Sequence, residues 1–236
     1  EGHETVYFRE YDGTGEIVYT DGSAYIYLAD DLSANLTVAD GQKLFLCLSG
    51  KTLTGGVNIG AGGELTLCDC VGNGVISAIT VDGGALEVFG GKVGELSLMS
   101  SDSELKLYGG GFGSVVGSGI KAGAMLPKGY AFRNADGSYV KADADSLEDV
   151  TIELCQHELT ADFDDGVCPY CGKELAATVT TKNVSGNTEI RGFTELKEAL
   201  ADADGGTVKL MNDVDAGKGV EIWNDVTLDL NRKKIY

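Results

Sequence analysis

The sequence predicts an all-β protein, a right-handed parallel β-helix with rungs of about 21 residues. Residues 36–110 repeat one phrase four times, in which a short alternating apolar run, a Gly or Asp turn and a longer alternating run follow one another. The central apolar residues of the longer runs are spaced by 21, 21 and 19 residues: Leu46, Leu67, Val88 and Leu107. Glycine is abundant, with 35 of 236 residues, whereas proline, which cannot donate to a strand ladder, occurs only twice.

Only strand and turn residues fill these units, which favours a β-helix over a leucine-rich repeat, whose units need a helical segment or a conserved Asn. Rungs stacked at about 4.8 Å place the leucines of one rung over those of the next, so an aliphatic ladder forms the core. A right-handed coil is expected because crossovers between parallel strands of one sheet are nearly always right-handed.

Five segments follow one another along the chain. Residues 1–23 are expected to cap the open N-terminal end, as a hairpin around the DGTG turn or as a first coil. Residues 24–119 hold the β-helix rungs. Residues 120–154 form a C-terminal β cap, with short strands around an ADG turn. Residues 155–175, which contain a C-x-H and a C-x-x-C sequence, are expected to form a zinc knuckle, and residues 176–236 to hold a helix and the first rung of a second β-helix.

The opening of the β-helix recurs at an offset of 182 residues. The matched pairs are Leu28 with Leu210, Asp31 with Asp213, Leu46 with Leu228, and Leu53 with Ile235. We therefore expect this chain to be a piece of a longer protein with tandem modules, whose neighbouring repeats contact one another.

A short amphipathic helix is expected ahead of the second opening. Phe193, Leu196, Leu200 and Ala203 fall on one helical stripe, and Thr194 is placed to cap its start. Gly205 and Gly206 would end the helix. Its expected role is to cover the first rung of the second β-helix.

One cluster of residues has the spacing of a metal site. Cys155 and His157 form C-x-H, and Cys168 and Cys171 form C-x-x-C within CPYCG. Three thiolates and an imidazole complete a tetrahedral shell for a structural Zn²⁺, with no position left for an activated water. A disulfide between Cys168 and Cys171, or free thiols, are the alternatives.

The remaining cysteines lie within the rungs. If the leucines face inward, Cys47 and Cys68 face outward in one column with Phe89 and Tyr108. Unbonded thiols are favoured there, since a Cys47–Cys68 disulfide would be strained by parallel Cβ vectors. The column is either covered by residues 112–154 or is a face that binds a partner.

The charge of the chain excludes some partners. With 18 basic and 37 acidic residues the net charge is −19, which disfavours nucleic acid and anionic lipid. The sequence contains no run of eighteen apolar residues and no signal peptide, so membrane insertion is not expected.

Three phrases carry a resemblance to a known group of proteins: residues 28–55, residues 126–140 (LPKGYAFRNADGSYV), and the C-x-H and CPYCG pair. Together they resemble large, repetitive, secreted or wall-attached proteins of gut Firmicutes, in which pectate-lyase-like β-helix modules are joined by small Cys/His inserts. The resemblance implies an extracellular location and an adhesin that binds a host protein, with immunoglobulin among the candidates, or a glycan.

The predicted function is therefore a non-catalytic binding module of a bacterial surface protein. A plain spacer in a surface stalk is the first alternative. A polysaccharide lyase or hydrolase is the second, but Asp69 is the only carboxylate in the inward register of the ladder, and no nucleophile, base and orienting group converge in any motif.

Overall fold

The computed structural model describes residues 7–117, 119, 121–159, 165–217, 219–222 and 225–236. Parts of the predicted N-terminal cap, C-terminal cap and zinc knuckle, at residues 1–6, 120 and 160–164, therefore lie outside the described residues. The chain divides into two compact units, Glu1–Glu153 and Leu154–Tyr236.

The first unit is a β-solenoid of two facing sheets. Its strands are β1 (Arg9–Tyr11), β2 (Ser23–Leu28), β3 (Leu36–Val38), β4 (Lys43–Cys47), β5 (Thr52–Ile59), β6 (Glu64–Cys68), β7 (Val75–Val81), β8 (Ala85–Val88), β9 (Lys92–Leu98), β10 (Glu104–Leu107), β11 (Gly111–Gly117), β12 (Tyr130–Asn134) and β13 (Leu147–Leu154), with a 3-10 helix at Ala122–Met125. The first sheet has the order β1-β2-β4-β6-β8-β10 and the second β12-β13-β11-β9-β7-β5-β3. From β2 to β11 the strands alternate between the sheets and pair in parallel within each, so each coil adds one strand to each sheet.

The predicted aliphatic ladder is confirmed. Leu46 aligns with Leu67, Leu67 with Val88, and Val88 with Leu107, and none of the four is exposed. The second sheet supplies the facing half of the core, with Val57, Ile59, Ile76, Ile79, Val81, Val93 and Leu96 among its buried members. Burial of this shared apolar surface holds the stack together. The handedness of the coils stays a prediction.

Glycine permits the close approach of neighbouring coils. A Cβ atom on Gly55 would lie 1.7 Å from the carbonyl oxygen of Ala34 in the preceding coil, and one on Gly63 would lie 2.5 Å from that of Val38. Neither position has the positive φ that favours glycine elsewhere, so the lack of a side chain is what these contacts require.

The two ends of the solenoid are built differently. At the N-terminal end β1 pairs in parallel with β2, so the described part of this segment adds a strand to the first sheet, the arrangement expected of a first coil. At the other end β13 pairs antiparallel with β11, which ends the parallel series of the second sheet. The predicted ADG turn is present between Asn134 and Ser138, whose backbone groups are hydrogen bonded at 2.9 Å.

The second unit has one sheet and one helix. Its elements are β14 (Glu158–Leu159), β15 (Ala177–Lys182), β16 (Thr188–Phe193), α1 (Leu196–Asp202), β17 (Thr207–Leu210) and β18 (Thr227–Asp229). The strand order is β14-β16-β15-β17-β18, with β17 and β18 parallel and the other pairs antiparallel. Leu196 and Leu200 of α1 pack with Val179 and Val208 of the sheet.

The predicted start of the helix was one residue early. Glu195, not Thr194, is the N-cap residue, and no side chain caps the helix. Leu196, Leu200 and Ala203 of the predicted stripe are buried, and Ala199 joins them. Phe193, the fourth predicted member, instead ends β16 and is only partly buried. Packing of this stripe, more than capping, therefore stabilises so short a helix.

The repeat at an offset of 182 residues is present in the hydrogen bonds as well as in the sequence. In the first unit Leu32 bridges Leu53 in parallel, and the N–H of Thr52 donates to Asp31 at 2.7 Å. In the second unit the matching residues do the same: Val214 bridges Ile235, and the N–H of Lys234 donates to Asp213 at 2.9 Å. The strand registers also match, Ile26 with Leu46 and Val208 with Leu228. The second unit thus contains the opening coil of a second solenoid.

Candidate metal centre and thiol cluster

The CPYCG turn brings two thiols to one side of the chain. The N–H of Cys168 donates to the carbonyl of Lys173 at 2.8 Å, and the N–H of Gly172 donates to the carbonyl of Cys168 at 3.0 Å. Gly172 has a φ of 69°, a conformation that costs glycine little. The bridge between Val167 and Glu174 closes the turn. Local sequence therefore fixes the positions of Cys168 and Cys171.

Cys155 and His157 are placed by a second tight turn. His157 has a φ of 54°, and its N–H donates to the Sγ of Cys155 at 3.4 Å. The N–H of Gly192 donates to the carbonyl of His157 at 2.9 Å, which ties this turn to β16. This N–H to sulfur hydrogen bond orients the Cys155 thiol.

The four predicted ligands meet in one cluster. Their ligand atoms all lie within 4.8 Å of one another. The Sγ atoms of Cys155 and Cys168 are 3.8 Å apart, and the Sγ of Cys171 is 3.5 Å from the Nδ1 of His157. The three cysteines are buried and the histidine is half-buried. This group could hold a metal ion.

Hydrogen bonds within the cluster redistribute its protons. Hydrogen bonds from the thiols of Cys155 and Cys171 lower the pKa of Cys168. The pKa of Cys155 is raised by its bonds to Cys168 and Cys171. Bonds to the same two thiols raise the pKa of His157 to about 9. The site thus stabilises a thiolate next to a cation, which suits soft metal ligation.

The column of Cys47, Cys68, Phe89 and Tyr108 is in the predicted register. Cys47 aligns with Cys68, and the rings of Phe89 and Tyr108 stack with centroids 4.8 Å apart. Phe89 is 52% exposed, whereas Cys47 is only 6% exposed, so the column is covered at Cys47 and open at Phe89. Residues 112–154 contribute to covering the column, because Tyr130 packs edge-on against Tyr108 at 5.7 Å.

The sequence reasoning missed Cys70 as a neighbour of Cys47. The Sγ atoms of Cys47 and Cys70 are 3.2 Å apart, because the loop after β6 folds back toward the preceding coil. All six cysteines of the chain are free thiols, so neither of the considered disulfides is present.

Asp69 explains the position of this loop. Its carboxylate accepts backbone hydrogen bonds from Gly50 at 2.7 Å, Gly72 at 3.0 Å and Gly74 at 2.6 Å, with a longer one from Val71. Burial opposes ionisation, but these bonds outweigh it and lower the pKa of Asp69. The DCVGNG sequence, an acid followed by two glycines, was the available signal.

Among the residues that the structure describes, no helix has the length and apolar character that a membrane span needs. The resemblance to surface proteins of gut Firmicutes stays a prediction. Comparisons with protein-family models, with curated proteins and with solved structures gave no match.

Proposed function

We propose that this chain is a non-catalytic module of a secreted or wall-attached bacterial protein, which presents one side of its solenoid to a host protein. The observation that carries the proposal is the recurrence of the opening coil at an offset of 182 residues, with Asp31 and Asp213 accepting equivalent backbone hydrogen bonds. Tandem solenoid modules are typical of proteins that bind through extended lateral surfaces.

The state of Asp69 supports a non-catalytic role. Asp69, Lys92 and Asp149 line a groove of 740 Å³ at the glycine-rich corners of the first unit. Both carboxylate oxygens of Asp69 accept backbone hydrogen bonds, and the lowered pKa keeps the group ionised, so it is poorly suited to general acid catalysis. Incubation with pectin or a glycosaminoglycan is expected to release no unsaturated uronate absorbance.

The aromatic side chains of the first sheet favour a protein partner over a glycan. Tyr25 stacks on Phe45 with centroids 4.3 Å apart, and Phe89 stacks on Tyr108 at 4.8 Å. These ring faces cover one another, so the rings offer mainly edges to a partner. The same sheet carries an exposed ion pair between Lys106 and Glu87 at 3.1 Å.

A pull-down from host serum and mucus tests the proposal. Saturable binding of a host protein, with immunoglobulin and mucin as named candidates, is expected. Phe89→Ser should weaken that binding. Val116→Ser is the matched control, since Val116 is 47% exposed on the second sheet and should leave binding unchanged.

A plain spacer is the second candidate, because the repeated coil opening is equally expected of a stalk. It predicts no saturable binding to any of these host fractions. Equal binding by the wild-type, Phe89→Ser and Val116→Ser chains would instead place the contact elsewhere on the solenoid.

The cluster of Cys155, His157, Cys168 and Cys171 is proposed to hold Zn²⁺ as a structural ion. Zn–S bonds of about 2.3 Å and a Zn–N bond of about 2.0–2.1 Å, meeting at tetrahedral angles, imply S···S and S···N separations of about 3.8 and 3.5 Å. The distances between Cys155 and Cys168 and between Cys171 and His157 are 3.8 and 3.5 Å. Four protein ligands leave no position for a reactive water, which supports a structural role.

Metal analysis of chain purified without chelator tests the zinc assignment. About one zinc per chain is expected, and Cys171→Ser should reduce zinc retention after dialysis. Cys70→Ser is the matched control, because it removes a thiol outside the cluster and should retain the metal. Absence of zinc from the wild-type chain, or unchanged retention by Cys171→Ser, contradicts the assignment.

A further inference from the structure

Three thiols of the first unit lie together at one corner of the solenoid, apart from the proposed zinc ligands. Cys47 ends β4, Cys68 ends β6, and Cys70 lies in the loop that follows. Cys68 is beside Cys47 in the strand register, whereas Cys70 reaches back to Cys47 with a separation of 3.2 Å between the Sγ atoms.

We propose that Cys47 and Cys70 are a redox-active pair that closes into a disulfide between neighbouring coils. Cys70 is exposed and can meet a small oxidant, while Cys47 is buried beneath it. Their sulfur atoms need to approach by little more than 1 Å to reach the length of a disulfide bond, about 2.05 Å.

The loop that presents Cys70 is held in place. Asp69, its chain neighbour, accepts backbone hydrogen bonds from Gly72 and Gly74 of the same loop and from Gly50 of the preceding coil. The thiol pair is therefore positioned by the fold, which lowers the entropic cost of joining the two sulfurs.

The properties of the third thiol argue against a Cys47–Cys68 bond. Burial, followed by the charge of Cys47, raises the pKa of Cys68 to about 12. The pKa of Cys70 is raised as well, first by its hydrogen bond with Cys47, but Cys70 is exposed to an oxidant whereas Cys68 is half-buried. The pKa of Cys47 is lowered, since hydrogen bonds from Cys70 and Ser49 outweigh its burial. Cys47 is thus the better nucleophile of the cluster.

The oxidant is a small-molecule disulfide such as oxidised glutathione, which accepts two electrons from the protein thiols. Cys70 attacks first because it is the exposed thiol: it loses its proton to solvent, its thiolate attacks one glutathione sulfur, a mixed disulfide forms, and the leaving glutathione thiolate takes up a proton. The Cys47 thiolate then attacks the Cys70 sulfur, which forms the Cys47–Cys70 bond and releases the second glutathione thiolate. Two protein thiols are oxidised, two glutathione thiols are produced, and a reducing thiol reverses the sequence.

Tryptic mapping of the zinc-loaded chain after incubation with oxidised glutathione tests the proposal. Cleavage after Lys43, Lys51 and Lys92 separates Cys47, in peptide 44–51, from Cys68 and Cys70, in peptide 52–92. A Cys47 disulfide therefore joins two peptides, whereas a Cys68–Cys70 disulfide leaves peptide 44–51 with a free thiol that alkylation marks. The proposed zinc ligands fall in a third peptide, 142–173.

Single substitutions identify the partner of Cys47. Cys68→Ser should form the link between peptides 44–51 and 52–92 as fast as the wild-type chain, while Cys70→Ser should form it at least about tenfold more slowly. The proposal is overturned if Cys70→Ser cross-links at the wild-type rate, which would identify Cys68 as the partner. It is equally overturned if the wild-type and Cys68→Ser chains take up glutathione at Cys70 without forming the link.

Discussion

Replacing Leu67 by alanine measures how much the aliphatic ladder contributes to the free energy of unfolding. Leu67 is fully buried between Leu46 and Val88 in the register of the first sheet. The substitution removes three carbon atoms, and at about 0.8 kcal/mol for each the transfer loss is about 2.4 kcal/mol. The cavity left between fixed coils adds to this loss, so we expect the free energy of unfolding to fall by about 3–4 kcal/mol.

Urea unfolding followed by far-ultraviolet circular dichroism gives the free energy of unfolding directly, and thermal melting should show a loss of about 10 °C. Thr66→Ala is the control, because Thr66 is next to Leu67 on β6 and points to the opposite face. Its cost should stay within about 1 kcal/mol. Leu105→Ala should cost less than Leu67→Ala, since Leu105 is only partly buried. Equal losses for Leu67→Ala and Thr66→Ala would refute the inward register and with it the stacked core.

Two further substitutions test the corners and the close contacts of the coils. Asp69→Asn removes the charge that accepts the loop's backbone hydrogen bonds, so the urea midpoint should fall at neutral pH by the equivalent of about 1–3 kcal/mol. The native pKa of Asp69 is lowered, so the ionised side chain stabilises the fold fully above the ordinary pKa of about 3.9, and this stabilisation is lost as the pH falls through the native pKa. The difference in unfolding free energy between the wild-type and Asp69→Asn chains should therefore become smaller in acid. Gly55→Ala should prevent or severely weaken folding in a thermal-shift assay, since its Cβ would lie 1.7 Å from the Ala34 carbonyl oxygen, whereas Gly60→Ala, with 3.8 Å to its nearest neighbour, should be tolerated. Comparable melting temperatures for the two glycine variants would contradict the close approach at Gly55.

The period of the sequence was enough to predict the core of the first unit. A side chain in a parallel solenoid meets the residue one rung away, so the spacing of Leu46, Leu67 and Val88 determined the register that the strands adopt. The same register places Glu87 beside Lys106, and the two side chains form an ion pair at 3.1 Å. Periodicity is informative here because each contact is repeated from coil to coil.

The candidate metal ligands were predicted for a different reason. C-x-H and C-x-x-C each place two ligands within one tight turn, so half of the geometry is local. What brings the turns together is long-range pairing, including the hydrogen bond from Gly192 to His157. Spacing identified the ligands but did not determine this pairing.

Contacts of loop residues could not be predicted in the same way. The sequence placed Cys47 and Cys68 in one column, which the strand register confirms. The contact of Cys47 with Cys70 depends on the path of an irregular loop, and that path depends on which backbone N–H groups the Asp69 carboxylate binds. Thr194 failed as a helix cap for a related reason, since packing of Leu196 and Leu200 fixes where α1 begins.

The two copies of the opening coil show what stacking contributes to a solenoid. Leu46 and Leu228 occupy matching places and pair in parallel with Ile26 and Val208, respectively. Leu46 is fully buried because Leu67 of the next coil covers its other side, whereas Leu228 stays half-buried in a coil with one such neighbour. Each coil stacked against another therefore adds to the burial of its core. In the second unit helix α1 packs on the sheet, and in our proposal the zinc ion bound by Cys155, His157, Cys168 and Cys171 adds to its stability. Metal removal should therefore loosen this unit while leaving the many-coiled first unit folded.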